Sequence, residues 1–282
     1  MFYKIFFLKF IILLSQILSF EIYGKSVLPE CNREFTAKVY ENGLFYMADK
    51  KSGIDYDLLK ELEKRSGCKF VITAEPRARI WYELENGKLD FATSGIPTTK
   101  REEYSYFSNF VSYKKSILIR KETNIKSMQD FMANKNLIFG TIISYKDGSK
   151  KIDNMLDLLR QEKRVEESTS QELMYKKLAT NRIQAVIGSI LNYKIYFEKF
   201  PNLKDDIEIY DWFPEEKSAN VGIVISKKTI NEIERQSWDT LIKEMVVDGT
   251  VLKIFKKYLT DDDFKKLINF KVWKCTINCN YQ

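Results

Sequence analysis

The chain is predicted to be an α/β protein of two similar lobes, each a mostly parallel sheet flanked by helices. Three observations carry this. Strand-like and helix-like segments alternate along the chain, which argues for parallel β-α-β units. The same unit occurs twice, as Leu84-Glu-Asn-Gly-Lys-Leu-Asp-Phe-Ala and as Leu178-Ala-Thr-Asn-Arg-Ile-Gln-Ala-Val. Each copy has Gly or Asn at the helix exit, the two residues that best tolerate a left-handed cap. Finally, two uninterrupted apolar runs, Ser116 to Lys121 and Asn220 to Ser226, read as crossovers between the lobes.

The elements follow in order. Phe35 to Tyr40 alternates like a strand. Tyr56 to Arg65 has helical apolar spacing and stops at Gly67. Lys69 to Ala74 is a second strand, Ala78 to Glu85 a helix ended by Gly87, and Leu89 to Thr93 a third strand. The second set runs as strand Leu137 to Thr141, helix Lys151 to Gln161, strand Arg164 to Glu167 and helix Ser170 to Ala179. It ends with strand Ile183 to Ile187, a helix over Leu191 to Phe200 and strand Ile207 to Tyr210. The chain is expected to leave the first lobe near Arg120 and return near Val221. Helices Asn231 to Val247 and Thr250 to Tyr258 then cap the first lobe.

The first 24 residues read as a cleaved signal peptide, with Lys4 and Lys9 ahead of an apolar stretch from Phe10 to Phe20. That stretch is too short to span a bilayer, which takes about 20 apolar residues. No Cys follows closely enough for a lipid anchor. The rest is ample for two lobes, divided as 25–119 plus 222–282 and 120–221. A net charge of +7 with interspersed acids and bases, and no basic run with interleaved aromatics, disfavours nucleic-acid binding. The chain has no His, which excludes Ser-His-Asp and Cys-His nucleophiles and leaves zinc only Cys and carboxylates; no metal or cofactor is expected. Four Cys in an exported chain suggest disulfides. Cys31–Cys68 is the favoured pair within the first lobe and Cys275–Cys279 within the tail, with crossed pairing of the tail to Cys31 or Cys68 left open.

The stretch Leu84 to Ser108 carries the chemistry. A strand there gives way to a polar loop, Ser94 to Thr99, and then to a charged helix start at Lys100-Arg101-Glu102. Unpaired backbone N–H groups at such a junction, beside Thr, Ser and Arg, suit a small carboxylate.

Five pieces, in order, resemble the bacterial extracellular solute-binding proteins of family 3. Gly53-Ile-Asp-Tyr-Asp-Leu58 is similar to that family's Gly-Phe-Asp-x-Asp-Leu, and Gly87-Lys-Leu-Asp90 to its Gly-Lys-x-Asp. Thr98 to Arg101 with Phe107-Ser108 resembles Thr-Pro-Glu-Arg followed by Phe-Ser. Ser127 to Phe131 resembles Ser-Leu-x-Asp-Leu. Asp248-Gly-Thr250 with Lys257-Tyr258 resembles the family's closing motif. The resemblance covers nearly the whole mature chain. It implies the type II periplasmic-binding-protein fold with two crossover hinge strands and a monomer closing on a small carboxylate. It also implies delivery to an inner-membrane ABC permease from the periplasm.

The resemblance also implies site residues. Arg101 matches the arginine that forks onto a ligand carboxylate, a geometry only Arg offers. Thr93, Ser94 and Gly95 end the third strand toward the cleft, and Thr98 is read as a helix cap. Ser144 and Tyr145 follow the first strand of the second lobe; Glu41, Tyr46 and Trp81 are further candidates. Two departures weigh against an ordinary amino acid. Ile96 stands where amino-acid binders have a hydroxyl, and Ser189 where they have the Asp that pairs with the ligand ammonium. A neutral Ser does not offset a desolvated ammonium. Arg77 and Arg79 occupy a helix N-terminus, where cations are unfavourable, and point to an acid with more than one anionic group or none of the usual amine. Alternatives are an extracellular sensor or partner protein, or a cyclohexadienyl-dehydratase-like enzyme using Glu41, Glu75 or Glu172 as general acid. Without His, ligand affinity is expected to vary little between about pH 6 and 8.

Overall fold

The computed structural model describes residues 28–267 and 271–272. The expected signal peptide and the pair Cys275–Cys279 lie outside these residues.

The first sheet holds β1 (Phe35–Val39), β2 (Phe70–Ala74), β3 (Phe91–Gly95), β4 (Ser105–Tyr113), β10 (Ala219–Ser226) and β11 (Lys271–Val272), in the order β11-β4-β10-β3-β1-β2. The second holds β5 (Ser116–Arg120), β6 (Phe139–Ile142), β7 (Val165–Ser168), β8 (Ala185–Gly188) and β9 (Ile207–Tyr210), in the order β7-β6-β8-β5-β9. In each sheet three strands run parallel, β2-β1-β3 and β7-β6-β8. The crossing strands join them antiparallel. These are two mixed sheets flanked by helices, as the alternation of elements predicts.

The helices in the first lobe are α1 (Ile54–Ser66), α2 (Arg77–Glu85) and the single turn α3 (Thr99–Glu102). Those in the second are α4 (Met128–Ala133), α5 (Lys150–Gln161), α6 (Gln171–Ala179), α7 (Ile190–Lys199) and α8 (Pro201–Asp206). Helix α1 stops where Gly67 turns left-handed at φ 74°. Ser149 and Ser170 cap α5 and α6 by accepting an N–H from the first turn. Of the last helices, α11 (Asp261–Lys265) is tied to the second lobe through Lys194 Nζ, which donates to Asp263 Oδ2 at 2.6 Å, while α9 (Glu232–Val247) and α10 (Thr250–Phe255) pack on the first. There Trp238 lies fully buried against the rings of Phe35, Phe70 and Phe91, with centroids 5.1 to 5.5 Å apart. Burying each such ring contributes about 2–3 kcal/mol.

Three strand starts fall two residues later than the sequence reading. Before β3, the Asp90 carboxylate takes Arg33 in a fork at 2.7 and 2.8 Å and the Thr36 N–H at 2.8 Å, so it pins β1 from the side. Leu137 belongs to a turn, its N–H donating to the Asn134 carbonyl. Ile183 still bonds back to Lys177 at the exit of α6.

The run at Ser116 is a central strand of the second sheet, paired to β8 and β9, not a free crossover. The passage between sheets is Lys114-Lys115, and the return lies between Tyr210 and Ala219. Lys114 Nζ donates to Asp211 Oδ2 at 2.7 Å and clamps the two passages together. Cys31 and Cys68 form a disulfide, with Cα atoms 4.9 Å apart. It ties the lead-in to β1 to the turn before β2, and crossed pairing through either residue is thereby ruled out.

Candidate ligand-binding cleft

The C-terminal ends of β1 and β3 face those of β6, β7 and β8, the edge where open α/β sheets bind ligands. From the first lobe come Tyr40 to Asn42 after β1, Arg77 at the start of α2, and Ile96 to Thr98 after β3. From the second come Ser144 to Asp147, Thr169 to Gln171 and Ser189 to Asn192.

Two buried guanidiniums dominate. Arg77 is 8% exposed, and its Nη1 donates to the Tyr40 hydroxyl at 3.1 Å. Its Cζ lies 5.2 Å from the Tyr40 ring and 5.6 Å from the Tyr145 ring, so one aromatic from each lobe faces the cation. Arg77 Nε and Nη2 have no protein partner. Arg101 is 6% exposed. Its N–H is capped by the Thr98 hydroxyl, and its fork donates to the Ile96 carbonyl at 3.0 Å and, across the cleft, to the Ser144 carbonyl at 3.3 Å. The Trp81 ring covers it at 4.0 Å. Burial, then the charge of Arg77, pull the Arg101 guanidinium down to about 9, which still leaves it charged at neutral pH.

Tyr145 is fixed from behind. Its hydroxyl donates to Asp147 Oδ2 at 2.8 Å, and Lys115, on the passage between sheets, donates to both. Burial first, then Asp147, raise the Tyr145 phenol well above its ordinary value, so it stays neutral. Lys115 and the Tyr145 hydroxyl hold Asp147 below the usual carboxylate range, against burial, which pushes it up. Beneath β3, Asp55 is fully buried and accepts the Ser94 hydroxyl at 2.9 Å. Burial outweighs that bond and raises its carboxyl to about 7.

A polar seam closes the inner end. Asn42 Oδ1 accepts Gln171 Nε2 at 2.7 Å and Asn192 Nδ2 at 2.9 Å, and Asn42 Nδ2 donates to the Tyr40 hydroxyl at 3.2 Å. Glu41 accepts the Glu172 N–H at 2.8 Å and the Tyr196 hydroxyl at 2.7 Å. A cavity of about 200 Å³ lies among Tyr40, Glu41, Tyr46, Arg77, Ile142 and Gln171. A wider recess of about 670 Å³ opens at Trp81, Arg101, Ser144 and Tyr145.

The structure thus places Glu41, Tyr46 and Arg77 on the smaller cavity and Trp81, Arg101, Ser144 and Tyr145 on the wider recess, while Thr93, Ser94 and Gly95 are buried at the end of β3 and line neither. Arg79 is not among them. It faces solvent and pairs with Glu83 at 2.7 Å, one helical turn away. Ser189 is buried, and its hydroxyl serves the cap of α7, donating to Asn192 Oδ1 at 3.2 Å. Sequence reading missed Tyr40, Asn42, Asp55, Lys115, Asp147, Gln171 and Asn192 as parts of the site. Tyr40 and Asn42 carry the signal that Ser144 and Tyr145 did, a polar step just past a parallel strand. The others are joined only by the fold.

Residues 40–261 match the model of the bacterial extracellular solute-binding proteins, family 3. The chain belongs to that family. A probable amino-acid-binding protein of Bacillus subtilis, YxeM, is 24% identical over 221 residues, covering 76% of this chain and 78% of its own. Among solved structures, an ancestral arginine-binding protein bound to arginine superposes with a TM-score of 0.65 at 21% identity, covering 82% of this chain and all of that one. The arginine-, lysine-, histidine-binding protein ArtJ of Geobacillus stearothermophilus gives 0.67 at 18% identity, covering 80% and 95%. These likenesses establish the fold of type II periplasmic binding proteins. Membership makes this chain one of a family of extracellular solute-binding proteins. Among the described residues, no helix is long and apolar enough to cross a membrane.

Proposed function

We propose that this protein captures a small carboxylate-bearing solute of the amino-acid type between its lobes and presents it to an ABC permease, acting as a monomer outside the inner membrane. The observation that carries this is the pair of buried guanidiniums, Arg77 and Arg101, held where the two lobes meet. Buried cations call for anionic partners. The names of the relatives, a probable amino-acid-binding protein and a probable ABC transporter extracellular-binding protein from Bacillus subtilis, support the same reading. Binding without catalysis is favoured because the carboxylates that an enzyme reading needs are already engaged. Glu41 holds the Glu172 N–H and Tyr196, Glu75 lies 3.6 Å from Lys38, and Glu172 pairs with Lys199 at 2.6 Å.

A thermal-shift screen of the mature, oxidised protein against amino acids, dicarboxylates, keto acids, peptides and sugar acids tests the reading. A solute at about 100 times its Kd stabilises by about 2.7 kcal/mol. A saturable shift that disappears in Arg101→Ala is expected. No shift with any carboxylate overturns the proposal.

A further inference from the structure

We infer that the cleft is built for an amine-free acid carrying two anionic groups, one for each buried guanidinium. This rests on the carboxylate-capture reading above and narrows its ligand class.

The first ground is geometric. Arg77 Nη1 is held by Tyr40, while Nε and Nη2, themselves buried, have no hydrogen-bond partner. Nε and Nη2 form one edge of the planar guanidinium, and that edge matches the two oxygens of a carboxylate. Tyr40 and Tyr145 flank the cation from opposite lobes, so closure fixes the plane of this fork. Arg101 is a second, separately held fork whose protein acceptors are both neutral carbonyls, of Ile96 and Ser144.

The second ground is charge. Two buried guanidiniums in one cleft repel each other, and a monoanion compensates only one of them. An α-amino acid would bring a cation of its own, which needs a carboxylate. The carboxylates around the cleft already serve the protein: Asp147 holds Lys115 and Tyr145, Asp153 the N–H groups of Asp147 and Gly148, Glu41 Oε1 both the Glu172 N–H and the Tyr196 hydroxyl, and Glu75 lies 3.6 Å from Lys38. Asp55 is fully buried and accepts the Ser94 hydroxyl. The buried acceptor left without a partner at the inner cavity is Gln171 Oε1, which is neutral. Ser189, bound into the α7 cap, offers no charge either. A diacid without an amine leaves neither guanidinium uncompensated and adds no ammonium.

Matched probes decide the matter by calorimetric titration of the mature, oxidised protein: glutarate, pentanoate and L-glutamate, and the four-carbon set succinate, butanoate and L-aspartate. The diacid of at least one set is expected to bind about tenfold or more tighter than both its monoacid and its amino counterpart. In Arg77→Met that preference over the monoacid should vanish, while Arg101→Ala should abolish binding of all probes. The comparison on the unaltered protein stands by itself if Arg77→Met fails to fold. An amino diacid that binds as tightly as its amine-free partner, or an α-amino acid that binds while no diacid does, overturns this inference and leaves carboxylate capture standing. Absence of binding by every carboxylate overturns both.

Discussion

Asp55 shows what a single residue does to this molecule. Its carboxyl is wholly buried, and burial lifts it from 3.8 to about 7 despite the Ser94 hydroxyl. Below pH 4 the group is protonated in both folded and unfolded chains and contributes nothing to pH dependence. As pH rises from about 4 to 7 the unfolded chain releases the proton first, so stability falls; above 7 the loss is constant. From pH 5 to pH 8 the loss is of the order of 2–3 kcal/mol. Asp55→Asn keeps an acceptor for Ser94 and removes the titration. Urea unfolding of both proteins at pH 5 and pH 8 should therefore show the variant gaining most at pH 8. An equal difference at both pH values would mean that Asp55 is ionised throughout. The same residue qualifies the expectation that affinity is flat between pH 6 and 8. No imidazole titrates there, but a carboxyl bonded to Ser94 near the end of β3 does. The sequence singles out Arg101 by its match to the family's carboxylate arginine and Arg77 as a cation at a helix N-terminus, and both are buried in the structure. Asp55 stands in the motif Gly53-Ile-Asp-Tyr-Asp-Leu58, but its burial is a property of the fold, and burial is what gives it chemistry.

At the scale of elements, most of the structure could be read from caps and periodicity. Thr98, Ser149, Ser170, Gly67 and Gly87 all sit where turn and cap chemistry puts them, because those effects are local. Strand starts differ from the sequence reading where a preceding turn or helix exit still holds the backbone, as at Leu137 and Ile183, or where a side chain intervenes, as Asp90 does before β3. The crossover was misplaced because an apolar run cannot say which sheet it joins. Two packing relations give sharp expectations. The Cys31–Cys68 bond closes a sequence separation of 37, and losing a loop of that size removes about 4 kcal/mol in the chain-entropy account. Cys31→Ser with Cys68→Ser should lower the urea midpoint accordingly, and an unchanged midpoint would mean that the tie does not constrain the unfolded chain. A Cβ added at Gly95 would lie 2.1 Å from Val224 Cγ2 and 3.1 Å from the Phe107 ring. Gly95→Ala should therefore destabilise by about 1–3 kcal/mol by forcing β3 away from β10. Tolerance of the methyl would show that these strands have slack.

For the whole molecule, closure depends on contacts the sequence hides. The seam bonds Asn42 to Gln171 and Asn192 join residues 129 and 150 positions apart, and no local pattern signals them. At its centre Gly43 has φ +59°, and the Leu44 N–H donates to the Leu191 carbonyl at 2.7 Å, backbone of one lobe against backbone of the other. A Cβ at Gly43 would stand 2.3 Å from that carbonyl oxygen and 2.5 Å from Asn192 Cα. Backbone cannot rotate out of the way as a side chain can, so relief must come from moving the lobes apart. Separation would also take Tyr145 off Arg77, Ser144 off Arg101 and Glu172 off Glu41. Gly43→Ala should thus leave each lobe folded, with about 1–2 kcal/mol lost to the left-handed conformation. It should also weaken carboxylate binding by about tenfold or more and give a larger radius of gyration in small-angle scattering at saturating solute. The unaltered dimensions with the unaltered affinity would mean that the lobes close through Arg77 and Arg101 alone, with the seam following rather than setting the closed geometry.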